Sequence, residues 1–167
     1  MLSHFLIIIL AIITVYQDFR HREISLVLIP VYFLCFALNQ IQLTGLRFFL
    51  INFSVNSGII LLLLLFTSGY FWMKERKFKI IDQYLGLGDV LLFFALAAAF
   101  SPVNFIVFLL AGFIFSIAVY LIKTIIIKRL NNTIPLAGCI SILLIVVMLI
   151  PNLNRFEDLK LITTILT

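Results

Sequence analysis

At 167 residues, 64% hydrophobic and 11% charged, with 18 phenylalanines, the chain lies outside the composition of soluble domains and reads as an all-α polytopic membrane protein. Its net charge of +5 calls for no nucleic acid, because most of it follows from membrane topology or meets anionic lipid head groups. The two cysteines, Cys35 and Cys139, stand in apolar runs without CxxC spacing and are read as small packing residues, with no zinc site or disulfide framework.

The first apolar segment, Leu2 to Gln17, has no Lys or Arg before Arg20 and no small-residue cleavage pattern, so a retained helix is expected. At a rise of 1.5 Å per residue it covers only about 24 Å unless Asp18 continues the helix into the interface. The second, Ile24 to Leu43, carries Pro30, which membrane helices tolerate where neighbours satisfy the freed carbonyl. In the third, Leu46 to Phe71, Asn52 and Asn56 share a face and are expected to hydrogen-bond between helices. The longest polar stretch, Lys74 to Gln83, is a candidate mobile loop.

The fourth segment, Tyr84 to Phe100, opens on Gly86-Leu87-Gly88-Asp89, and Ala95, Ala97, Ala98 and Ala99 suit close helix packing. Val103 to Ile122 and Ile134 to Ile150 complete a set of about six transmembrane helices, followed by a short outer tail, Asn152 to Thr167. None of these runs alternates with period two, so a barrel is excluded. Without linkers or repeats, residues 1–167 read as a single membrane-embedded domain.

Nine of the 12 basic residues fall on the first, third and fifth connections: Arg20, Arg22, Lys74, Arg76, Lys77, Lys79, Lys123, Lys128 and Arg129. Arg47, Arg155 and Lys160 fall on the other side. The positive-inside rule then places both termini outside the cytoplasm. Segment one enters the cytoplasm at Asp18 and segment four leaves it at Asp89, so both carboxylates are expected at the cytoplasmic face. A carboxylate at the mouth of an apolar run is costly and points to function. Two of them at one membrane boundary suggest aspartyl proteolysis.

Two carboxylates a few ångström apart cannot both ionise readily and share a proton. One then activates a water while the other donates to the scissile carbonyl, and no metal or other cofactor is called for. Asp89 lies in the first turn of its segment, at the positive end of the dipole, and Asp18 at the negative end of its own. That asymmetry makes Asp89 the expected water-activating member. Gly86 and Gly88 are read as openings through which an extended substrate backbone approaches. His4 and His21 read as solvated polar residues, whereas Glu23, Glu75 and Asp82 add negative charge that could attract a basic leader.

Three stretches carry a family resemblance: Asp18-Phe19-Arg20-His21-Arg22-Glu23-Ile24, Gly86-Leu87-Gly88-Asp89 and Ile134-Pro135-Leu136-Ala137-Gly138. Over nearly its whole length the chain resembles the type IV prepilin leader peptidases, intramembrane aspartyl proteases of the GxGD type. The resemblance implies that Asp18 and Asp89 are the catalytic pair. It also implies substrates that are pilin-like precursors with a basic leader and a hydrophobic helix, cleaved on the cytoplasmic side of the cytoplasmic membrane. The short form, without the family's cysteine-bearing region or methyltransferase part, is similar to the compact peptidases of tight-adherence pilus systems and implies cleavage without N-methylation.

Leu91 stands where many members have lysine, and Ser25 where many have proline. Presenilin and signal peptide peptidase match less well, since their first aspartate lies on the helix just before the GxGD helix. The rival readings are a non-enzymatic transport or secretion-machine subunit, in which the aspartates bind cations or hold helices, and an inactive peptidase homologue.

Overall fold

The computed structural model describes residues 2–75, 86–127 and 135–149. Among them are six α-helices and no strand: α1 (Leu2–His21), α2 (Leu28–Thr44), α3 (Leu46–Glu75), α4 (Leu87–Ala97), α5 (Pro102–Ile127) and α6 (Leu136–Leu149). By length and apolarity α1, α3 and α5 qualify as membrane spans, and α2, α4 and α6 are shorter apolar helices. Most of the stretch expected as a loop, 76–83, the start of the fourth segment at 84–85, and the outer tail lie outside the described residues.

The ends of the helices have local causes. Helix α1 runs past Gln17, so Asp18 belongs to its last turn, and it stops where Arg22 takes a left-handed conformation (φ 60°) with its N–H donating to Asp18 O at 3.1 Å. The following loop folds back, with Ser25 N–H donating to the Gln17 side chain at 3.0 Å. Helix α2 begins at Leu28 rather than Ile24, which puts Pro30 in the first turn, where backbone N–H groups have no intrahelical partner to lose. Between α2 and α3 a single residue, Gly45 at φ 86°, turns the chain through a conformation that side chains disfavour.

Helix α4 is also shorter than the apolar run that contains it. It ends at Ala97 in a tight last turn, Ala98 N–H donating to Ala95 O at 3.2 Å and Ala99 N–H to Leu96 O at 2.9 Å. Side chains of neighbouring helices meet the carbonyls at and beyond its end: Asn56 Nδ2 donates to Ala97 O at 2.9 Å and to Phe100 O at 2.8 Å, and Gln40 Nε2 donates to Ala99 O at 2.6 Å. The expectation that Asn56 bonds between helices is met. Pro102 then opens α5, with Ser101 O accepting from Phe105 N–H at 2.8 Å.

Packing centres on α1, α2, α4 and α6. The most extensive contact is α1 against α6, and α4 lies against α2. In lipid there is little hydrophobic drive between helices, so close approach by small residues and interhelical hydrogen bonds carry the association. Ala95 and Ala97 of α4 and Ala98, which caps it, are buried, as the alanine run led one to expect, beside Leu92, Leu96, Tyr32, Phe36 and Leu144. Leu91 packs, partly buried, against the same cluster. Cys139 is buried and Cys35 half-buried, and both are free thiols.

Candidate active site

The first turn of α6 is where the two aspartates meet. Pro135 caps this helix, its carbonyl accepting from Cys139 N–H at 3.1 Å, so the amides of Ala137 and Gly138 are first-turn donors without intrahelical acceptors. Gly138 N–H donates to Asp18 Oδ2 at 2.5 Å, across the α1–α6 seam. The next amide back, that of Ala137, lies near enough to the Asp89 carboxylate to favour its charge. Asp18 and Asp89 are near enough for their charges to act on one another.

Each carboxylate reaches this turn by a different route. Asp18 projects from the last turn of α1 and is buried, 6% exposed, with the charge of Arg22 acting on it. Asp89 is the third residue of α4 and reaches back to the amide of Gly86, the residue that caps the helix. An acidic side chain at this position commonly satisfies the cap amide in this way. The α1–α2 loop brings the two halves together, since Ile24 lies against Gly88: a Cβ on Gly88 would stand 3.3 Å from Ile24 Cβ. A Cβ on Gly86 would stand 3.3 Å from Asp89 Oδ2, so both glycines of the motif border the carboxylate or the loop that abuts it.

One turn deeper, a buried polar group ties three helices. Thr14 Oγ1 donates to Leu10 O at 3.0 Å and lies 3.2 Å from the Tyr32 hydroxyl, which Ser141 of α6 also approaches. Thr14 precedes Asp18 by one turn on α1, and Ser141 follows Gly138 by one turn on α6. Every polar atom in a membrane interior needs such a partner, and here the partners register α1, α2 and α6 directly beneath the aspartates.

Sequence reasoning named Asp18, Asp89 and the two glycines as candidates but not the amides beside the carboxylates, because a backbone amide has no residue signature. The available signal was Pro135, a residue that favours helix starts and so implies free amides just after it. The helix-dipole asymmetry expected from sequence also changes in three dimensions. Asp18 does end α1, yet its carboxylate faces the amino end of α6, as Asp89 does.

His21 is exposed and His4 half-buried, whereas Arg20 hydrogen-bonds to the Tyr16 hydroxyl on the outer face of α1. None of these three is among the groups that hold the carboxylates.

Comparison with known proteins agrees with the motif reading. No curated protein and no solved structure matches the chain. The model of the type IV leader peptidase family matches residues 5–122, a span that includes both aspartates and the Gly86–Asp89 motif but stops short of α6. With that match over most of a multi-pass helical membrane chain, the protein belongs to the type IV leader peptidase family, a family of aspartic proteases.

Proposed function

We propose that this protein is an intramembrane aspartyl endopeptidase that removes the basic leader from type IV pilin-like precursors at the cytoplasmic face of the cytoplasmic membrane. Asp18 and Asp89 are the catalytic pair, and residues 1–167 act as one peptidase domain. The observation that carries the reading is the convergence of both carboxylates on adjacent amides at one end of the bundle.

The chemistry follows from that convergence. Two neighbouring carboxylates hold one proton between them. The ionised member takes a proton from water, whose oxygen attacks the scissile carbonyl carbon, while the protonated member donates to the carbonyl oxygen. Collapse of the tetrahedral intermediate breaks the C–N bond, and the leaving amine takes up a proton. Gly86 keeps a side chain away from Asp89 on the approach side, and Gly88 leaves room for Ile24 of the α1–α2 loop. Membrane lipid surrounds the bundle, and the acidic residues of the sequence Glu23, Glu75 and Asp82 would supply negative charge to attract a basic leader.

The reading is tested by reconstituting the full chain in liposomes with a pilin-type precursor that carries a basic leader and one apolar helix. Wild type should release the leader, and Asp18→Asn and Asp89→Asn should not. Near-normal cleavage by either variant would show the pairing to be wrong. The orientation, with both termini outside, is checked separately by cysteine labelling in whole cells. Cysteines placed at Arg22, Lys77 and Lys128 should react only from the cytoplasm, and cytoplasmic labelling at Arg155 would overturn the topology.

A further inference from the structure

We infer that the first turn of α6 is a positioning element of the catalytic pair, in which the consecutive amides of Ala137 and Gly138 set the separation of Asp89 and Asp18, and Gly138 must lack a side chain for Asp18 to reach its place. The inference rests on the peptidase reading above.

Three observations carry it. The amides belong to neighbouring residues of one helical turn, so the distance between them is set by backbone geometry rather than by flexible side chains. The seam that presents them is the most extensive in the bundle and is pinned one turn deeper by the Thr14, Tyr32 and Ser141 hydroxyls. Space at Gly138 is already taken: a Cβ there would stand 3.0 Å from Asp18 Oδ2 and 2.7 Å from both Cδ2 and Cε2 of Phe19. Alanine is the better helix former, so glycine at this point in α6 serves close approach and not helix formation. Two residues compete for that space, and they answer differently to a methyl group. Phe19 is 43% exposed and its ring can swing outward, whereas Asp18 is 6% exposed and hydrogen-bonded to the very residue that would carry the methyl.

The experiment therefore uses Gly138→Ala, Phe19→Ala and the double variant, as full chains in liposomes with the same pilin-type precursor. Gly138→Ala should lower kcat by about 10- to 100-fold, the loss typical of a sub-ångström to ångström misplacement of a reacting group, with KM changed by less than about threefold. Phe19→Ala should cleave near the wild-type rate. The double variant, which has room for the methyl beside the ring but not beside the carboxylate, should keep the kcat loss while regaining wild-type thermal stability in detergent. Recovery of kcat in the double variant would mean that Gly138 only accommodates Phe19, and the inference would fail. It would fail equally if Gly138→Ala alone turned over normally, or if the double variant did not fold, because the glycine would then be a packing requirement. Running the two Asp→Asn variants beside these separates the failures. Cleavage that survives an Asn variant removes the peptidase pairing itself, whereas loss in both Asn variants with full kcat in Gly138→Ala removes only the role of α6.

Discussion

The two ends of α4 solve the same problem in opposite ways. At its carboxyl end the helix offers backbone carbonyls, and the side-chain amides of Asn56 and Gln40 come from α3 and α2 to meet them. At its amino end it offers a carboxylate, Asp89, and the backbone amides of Gly86 and Ala137 come to meet that. Both arrangements give the polar groups of α4 partners within the protein, as a bilayer interior demands, although Asn56 Oδ1 and Gln40 Oε1 are buried without a hydrogen-bond partner of their own. They differ in what can still change. The carboxyl end is neutral and sealed, with Asn56 fully buried, so its pairing has a structural role only. The amino end is ionisable and open, with Gly86 exposed and Asp89 half-buried beside Asp18. Proton transfer and an arriving peptide can both reshape that pairing, which is what the proposed catalysis needs.

Substitutions at the two ends should separate activity from stability. Neutralising the open end has the largest expected effect: Asp18→Asn or Asp89→Asn should lower leader cleavage by about 10²- to 10⁴-fold, the scale of a lost general acid or base. Insertion and thermal stability in detergent should change little, since the amide side chain still accepts a hydrogen bond from the α6 turn. A large drop in melting temperature with residual activity per folded molecule would reverse the assignment of this end.

At the sealed end Asn56→Leu should do the opposite. Loss of the bonds to Ala97 O and Phe100 O should destabilise the bundle by about 1 kcal/mol, the scale of interhelical hydrogen bonds in membranes, as measured by denaturant unfolding in mixed micelles. Below the melting transition kcat and KM should stay as in wild type. If kcat instead fell with stability unchanged, the two ends of α4 would not be divided in the way described.

The smallest expected effect is that of Gly88→Ala, which probes the edge of the open end. The added methyl would meet Ile24 Cβ at 3.3 Å, so the α1–α2 loop must give by a few tenths of an ångström. A several-fold fall in turnover with unchanged unfolding is expected, because alanine itself favours helix. Unaltered kinetics would reduce the glycine to a helix-start signal.

Much of this was legible in the sequence. Composition alone implied a helical membrane protein, since 64% hydrophobic residues without period-two alternation leave helices as the spanning element. The segment list matched all six helices, because each apolar run is bounded by charges, Gly or Pro. The boundaries were less legible where a partner in space decided them. Pro30 could be placed in the interior of a helix or in its first turn, and the start at Leu28 chose the first turn. The run through Ala99 and Phe100 reads as continuous helix, yet the helix closes at Ala97, where Asn56 and Gln40, about 40 and 60 residues away in sequence, meet the carbonyls at and beyond its end.

The candidate site divides along the same line. Asp18, Gly86, Gly88 and Asp89 could be named from residue chemistry and position, because a carboxylate in an apolar run announces its own cost. That α6 holds both carboxylates, that Gly138 has no room for a side chain, and that Asp18 faces the amino end of a helix other than its own were decided by tertiary structure. The physical reason is that backbone amides are the same in every residue but proline, so which of them lies free beside a distant carboxylate is a fact of packing and not of residue type.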